Sequence, residues 1–229
     1  MLNVENIQVS YGQSKVIENL SFSAESNQTL AIMGRNGMGK TTLFKSLIGV
    51  LPIGEGTISI DDSDLSKMES YQRVEKGIAY VPQGRMIFPT LTVKENIETG
   101  LEYSKTKKIP DEIYSLFPVL HEMRNRKGGN LSGGQQQQLA IARALVTDPK
   151  VLLLDEPTEG IQPSIIKDIA NILNEIRKMR DITIIVSEQV IHFALAVADR
   201  ILVIESGDII FENTRDEVDA EKISSYLSV

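Results

Sequence analysis

Apolar positions along the chain follow two rhythms, and the places where one gives way to the other mark the expected elements. Val4–Tyr11 and Leu20–Ala24 alternate apolar and polar residues, which predicts two antiparallel strands with one wetted face. Thr29–Met33, Val151–Leu154 and Ile182–Val186 are short and almost continuously apolar, the pattern of strands covered on both faces of a parallel sheet. Thr57–Ile60 and Ile78–Val81 predict further strands, and Ile201–Glu205 with Asp208–Phe211 predicts a hairpin. Helical spacing appears between them: Leu43, Leu47 and Ile48 follow Lys40, a helix is predicted from Ser132 to Val146, another starts at Pro163, and another runs through Ala196. Proline suits a first helical position because its missing N–H would have no partner there, and Ile165, Ile166, Ile169, Ile172, Leu173 and Ile176 then form one core stripe. Gln135–Gln138 predicts a solvated or interface face of its helix.

Strands alternating with helices predict an α/β fold on a mostly parallel sheet, joined by an N-terminal antiparallel β subdomain. The stretch from Val93 to Lys127 breaks the rhythm. It is charged, holds Pro110 and Pro118, and places Ile113, Leu116, Phe117 and Leu120 at helical spacing, so a small inserted helical lobe is expected. One domain over residues 1–229 follows, with 1–92 and 148–229 as core and 93–147 as the lobe.

At 229 residues and 41% hydrophobic, the chain can build a core without disulfides. Cysteine is absent, which excludes disulfides, thiolate metal sites and Cys nucleophiles. A net charge of −7 argues against whole-surface attraction to nucleic acid or anionic lipid. No run reaches the roughly 18 apolar residues of a spanning helix, and Met1–Asn6 lacks a basic-then-apolar leader. A cytoplasmic location is expected.

Three motifs carry chemistry. Gly34-Arg35-Asn36-Gly37-Met38-Gly39-Lys40-Thr41 meets G-x-x-x-x-G-K-[ST] between an apolar strand and a helix. Glycines let the backbone curl so that N–H groups point at phosphate, and the helix N-terminus adds positive potential. Lys40 would reach the β- and γ-phosphates and Thr41 would ligate Mg²⁺, with Thr42 completing the cradle. The apolar strand ending in Asp155 and Glu156 supplies a second part: Asp155 can hold Mg²⁺ and Glu156 can act as general base toward water. The third is Leu131-Ser132-Gly133-Gly134-Gln135, where Ser132 and Gln135 fit a capping box. Two glycines in a first turn cost up to about 1 kcal/mol each relative to alanine, so their expected role is to let a phosphate approach the helix start.

With phosphate loop, Leu-Ser-Gly-Gly-Gln signature and acidic strand in this order, the chain resembles the ATP-binding cassette (ABC) ATPases over nearly its whole length. The resemblance implies a P-loop NTPase core, ATP and Mg²⁺ as ligands, and two subunits closing on two nucleotides, the signature of one facing the γ-phosphate held by the other. It also implies that Tyr11 stacks on adenine, that Gln83 senses Mg²⁺ and the membrane partner, and that Glu159-Gly160-Ile161-Gln162 forms the D-loop. Most members carry a switch histidine where this chain has Gln189; His192, three residues on, is expected to pack in an apolar helix, and Glu156 keeps the base role.

Glutamine at the switch also occurs in importer ATPases for branched-chain amino acids and urea. The stretches Gly34–Thr42, Val81–Pro89, Ser132–Ala142 and Glu156–Ile166 are most similar to the urea branch. That resemblance implies permease subunits, an extracytoplasmic binding protein, and a peripheral position on the inner face of the cell membrane. The permease is expected to dock around Gly84–Thr99 and onward to Phe117, where Met86, Ile87, Phe88 and Leu91 cluster. The alternatives are a branched-chain amino acid importer and an ABC-type ATPase not coupled to transport.

Overall fold

The computed structural model describes residues 1–104 and 106–227. The chain folds around two sheets. A four-stranded antiparallel sheet contains β1 (Leu2–Tyr11), β2 (Ser14–Ala24), β4 (Glu55–Ile60) and the short β5 (Ser63–Asp64), in the order β2-β1-β4-β5. The larger sheet contains β3 (Thr29–Met33), β6 (Ile78–Val81), β7 (Val151–Asp155), β8 (Thr183–Glu188), β9 (Arg200–Glu205) and β10 (Asp208–Thr214). Its order is β10-β9-β3-β8-β7-β6, parallel throughout except for β10.

The parallel strands read as continuous apolar runs because each face has its own core. Leu30 and Ile32, Leu153, Ile185, and Leu202 and Ile204 point toward the antiparallel sheet and helix α1 (Lys40–Leu47). Their neighbours Ala31 and Met33, Leu152 and Leu154, Ile184 and Val186, and Ile201 and Val203 point to the helical side. That side is covered by α6 (Gly133–Leu145), α7 (Pro163–Met179) and α8 (Ile191–Val197). Between β6 and α6 lie α3 (Val93–Glu98), α4 (Asp111–Leu116) and α5 (Pro118–Glu122), which bury Val93, Ile97, Ile113, Phe117 and Leu120 in the same core. An Arg180–Glu112 ion pair fastens α4 to the end of α7.

Several elements differ from the sequence expectation. Strand β2 begins at Ser14 rather than Leu20, because its register with β1 shifts between Ile7 and Val9 and again before Ser10, and each shift interrupts the alternation that reveals a strand. The helices α2 (Ser70–Glu75) and α9 (Ala220–Leu227) each bury a single residue, too little to leave a periodic stripe. In α2 that residue is Arg73, whose guanidinium donates to Ser46 O at 2.7 Å and Leu47 O at 3.0 Å. A cation there meets the orphan carbonyls and negative end of α1. The glutamine run is also not a solvated or interface face throughout: Gln137 and Gln138 are buried within the chain, and Gln135 and Gln136 are half-buried.

Candidate nucleotide site

The phosphate loop leaves β3 at Met33 and enters α1 through Gly39, whose φ of 99° only glycine adopts without strain. No side chain caps α1, so its first-turn N–H groups are left for a ligand. They border a cavity of about 310 Å³ lined by Asn36, Gly37, Lys40, Thr41, Gln83 and Glu156, with Val16 of β2 on its wall. Lys40 is 4% exposed. Its ammonium donates to Gly34 O at 2.7 Å and Arg35 O at 3.1 Å and lies 3.1 Å from Glu156 Oε1, so the buried charge is fully partnered.

Strand β7 delivers Asp155 and Glu156 beside it. Asp155 is buried; its Oδ1 accepts from Ser187 Oγ at 2.5 Å and its Oδ2 from Tyr80 OH at 3.1 Å. Burial, and then the adjacent carboxylate, push the Tyr80 phenol far above its usual range, so it stays a donor. Glu156 has φ 46°, a left-handed backbone that a non-glycine residue holds only when its surroundings impose it. Its N–H donates to both Ser187 O and Ser187 Oγ at 3.1 Å. Its carboxylate accepts from Gln83 Nε2 at 3.3 Å and Gln189 Nε2 at 3.0 Å, while the same Gln189 amide donates to Asn36 Oδ1 at 2.7 Å. Gln189 thus reaches both the phosphate loop and Glu156, whereas His192 is exposed on α8 rather than packed.

Ser132 caps α6: its Oγ accepts from Gln135 N at 3.3 Å and its N–H donates to Gln135 Oε1 at 3.0 Å. None of Ser132–Gln135 lines the cavity at Lys40. The two glycines differ. A Cβ on Gly134 would lie 2.5 Å from Ile165 Cγ2 in α7, so packing within the chain already excludes a side chain there. At Gly133 the nearest contact would be an ordinary 3.5 Å. Tyr11 ends β1 about half exposed, paired with Ser14 across a tight turn.

Residues 17–159, more than half of the chain, match the family model described as ABC transporter. The chain belongs to the ABC transporter ATPase family. It is 36% identical over 217 residues to the high-affinity branched-chain amino acid transport ATP-binding protein BraG of Pseudomonas aeruginosa, covering 93% of each chain. It is 35% identical over 224 residues to the lipopolysaccharide export ATP-binding protein LptB of Haemophilus influenzae, covering 95% of this chain and 92% of that one. Among solved structures, a nucleotide-free ATP-binding cassette from an ABC transporter superposes with TM-score 0.80 at 30% identity, covering 93% of this chain and 91% of that chain.

As an ABC ATPase the chain binds and hydrolyses ATP, and it is the ATPase component of a transporter. Among the described residues no helix is long and apolar enough to cross a membrane, and no group of three or more His, Cys, Asp or Glu could hold a metal alone. Mg²⁺ fits what is present, since it favours one carboxylate, a hydroxyl and nucleotide phosphates over an all-protein cage.

The ABC fold also sets Met86 and Phe88 in the open: Met86 is 70% and Phe88 47% exposed, on a groove of about 390 Å³ shared with Tyr80, Gly100, Tyr103 and Arg143. Ile87 instead packs against the core. Sequence reasoning missed Tyr80, Ser187 and Glu188. Glu188 is buried, and its carboxylate accepts from the N–H groups of Thr158, Gln189 and Val190 at 3.0–3.2 Å, tying the turn after Glu156 to the Gln189 loop. Burial raises its carboxyl above the usual range despite these donors. The only sequence signal was an acidic residue ending an apolar strand.

Proposed function

We propose that this cassette drives an importer of the branched-chain amino acid and urea group, with urea as the transported substrate. The observation behind the catalytic part is that Lys40, Gln83 and Glu156 line one cavity at the uncapped start of α1, with Gln189 hydrogen-bonded to Glu156 and Asn36 on its wall. Lys40 and the N–H groups of Gly37–Thr42 hold the β- and γ-phosphates, with Gly34, Arg35, Asn36 and Met38 shaping the loop and Tyr11 stacking on adenine. Thr41, Asp155 and Gln83 hold Mg²⁺, which when bound neutralises charge on the phosphates. Glu156 takes the proton of the attacking water, and Gln189 orients Glu156 and the γ-phosphate by donating hydrogen bonds; an amide cannot relay a proton as imidazole does.

Ser132–Gln135 stand away from their own cavity, which supports a site completed by a second subunit, identical or related. The exposed Met86 and Phe88 groove receives a permease helix, holding the cassette on the inner face of the membrane, and a binding protein outside delivers substrate. A branched-chain amino acid substrate is the second reading, favoured by the name of BraG.

Glu156→Gln keeps the shape of the carboxylate and removes its basicity, so hydrolysis should fall by about 10²–10⁴-fold while ATP still binds. Light scattering with ATP and Mg²⁺ should show doubled mass. Near-parental turnover overturns the base assignment. Cells carrying this variant should lose uptake of labelled urea; loss of leucine uptake alone selects the second reading, and loss of neither removes import.

A further inference from the structure

Arg85, two residues after Gln83, has no part in the site described so far. Its φ is 67° and that of Met86 is 44°, so consecutive non-glycine residues hold a left-handed backbone that glycine would adopt freely. Contacts of the side chain must offset this strain. Arg85 Nη2 donates to Glu159 O at 2.7 Å, in the turn that follows Glu156. The same nitrogen lies 3.5 Å from where a Cβ on Gly133 would stand and 3.6 Å from one on Gly160. The guanidinium is therefore seated between the first residue of α6 and the turn after Glu156. Its own carbonyl accepts from Arg143 Nη2 at 3.3 Å, and the Arg143 guanidinium covers the Phe88 ring at 5.4 Å. Among the described residues no ion pair involves Arg85, and its Nε is buried without a hydrogen-bond partner. The placement follows from shape and one backbone acceptor rather than from charge pairing.

We propose that Arg85 is a positioning residue for hydrolysis. One planar side chain fixes the Gln83 turn, the Glu159–Gly160 turn and the start of the signature helix in a single relative arrangement. Displacement of the Gln83 turn by the Phe88 groove thereby shifts Ser132 and Gly133 as well. This rests on the two-subunit reading above, because Ser132 and Gly133 act on the partner's nucleotide. Arg85 does not line the cavity at Lys40, so binding of ATP to one subunit does not depend on it.

Arg85→Gly is the informative variant, since glycine holds the left-handed backbone without strain while the guanidinium and its methylene stem are removed. Its ATP affinity, measured by titration with a fluorescent nucleotide, and its KM should match the parent, while kcat falls roughly tenfold, as misplacement of a reacting geometry does. Added methylguanidinium should restore part of kcat and ammonium none, and Arg85→Lys should stay slow because one ammonium cannot span both turns. Parental kcat in Arg85→Gly, a changed ATP affinity, or a loss that methylguanidinium leaves untouched overturns the proposal. Glu156→Gln, alone and combined with Arg85→Gly, separates the two readings: pairing with ATP in both, together with the roughly tenfold lower kcat of Arg85→Gly, supports both. Pairing in both with parental kcat in Arg85→Gly removes the role of Arg85 alone, and no pairing in either, with itself or with a related ATP-binding subunit, removes the two-subunit reading and this proposal with it.

Discussion

Two helix starts, those of α1 and α6, are both glycine-rich and suited to phosphate, yet the chain builds them in opposite ways. The start of α1 has no side-chain cap, encloses a cavity, and buries the ammonium of Lys40 among carbonyls and Glu156. The start of α6 is closed by the reciprocal Ser132–Gln135 pair and faces outward, with Ser132 exposed. Glycine serves the first through backbone conformation, at Gly39, and the second through packing, at Gly134 against Ile165. An uncapped start inside a cavity needs only its ligand. A capped, outward start can bind phosphate strongly only when another body encloses it, because water competes for its N–H groups. Under the proposed two-subunit reading, the same physical device yields a complete half-site and a dependent one.

The contrast breaks first at Lys40. Lys40→Ala removes the one buried ammonium of the α1 cavity, and loss of a desolvated charge partner is worth about 2–5 kcal/mol, so calorimetric ATP affinity should drop by at least about thirtyfold in a protein whose circular dichroism is unchanged. An unchanged affinity would mean that the α1 start is not the primary phosphate site.

The glycine pair sharpens the difference. Gly134→Ala forces a methyl against Ile165, and overpacking of this kind costs about 1–3 kcal/mol, readable as a lower urea midpoint and relieved when Ile165→Ala is added. Gly133→Ala meets only ordinary contacts and gains helix propensity of up to about 1 kcal/mol, so the midpoint should hold or rise. If both variants unfold alike, the two glycines share one structural role. If Gly133→Ala also hydrolyses ATP at the parental rate, close phosphate approach at α6 is lost as an explanation.

The smallest effect is expected at the cap. Ser132→Ala should cost about 1 kcal/mol of stability, since the Gln135 N–H loses its hydroxyl acceptor, and it should leave ATP affinity of the isolated subunit untouched. A fall in that affinity would place α6 at its own chain's nucleotide.

Much of this cassette was legible because its signals are local. A φ of 99° at Gly39 is a demand that one residue meets, a parallel strand buried on both faces must be apolar throughout, and a reciprocal cap spans Ser132 to Gln135. These features fixed the α/β architecture, the phosphate loop, and Asp155 and Glu156 at the end of β7. Tertiary structure decided what depends on contacts between distant segments. It brought Gln83 and Gln189, 73 and 33 residues from Glu156, onto one carboxylate, and it gave Asp155 its partners Tyr80 and Ser187. It buried Gln137 and Gln138, part of a run that reads as a solvated or interface face, and exposed His192. It assigned Gly134 to Ile165 and Arg85 to Glu159. Periodicity records which face of one element is dry, whereas a pairwise contact between elements far apart in the chain leaves no periodic trace in either.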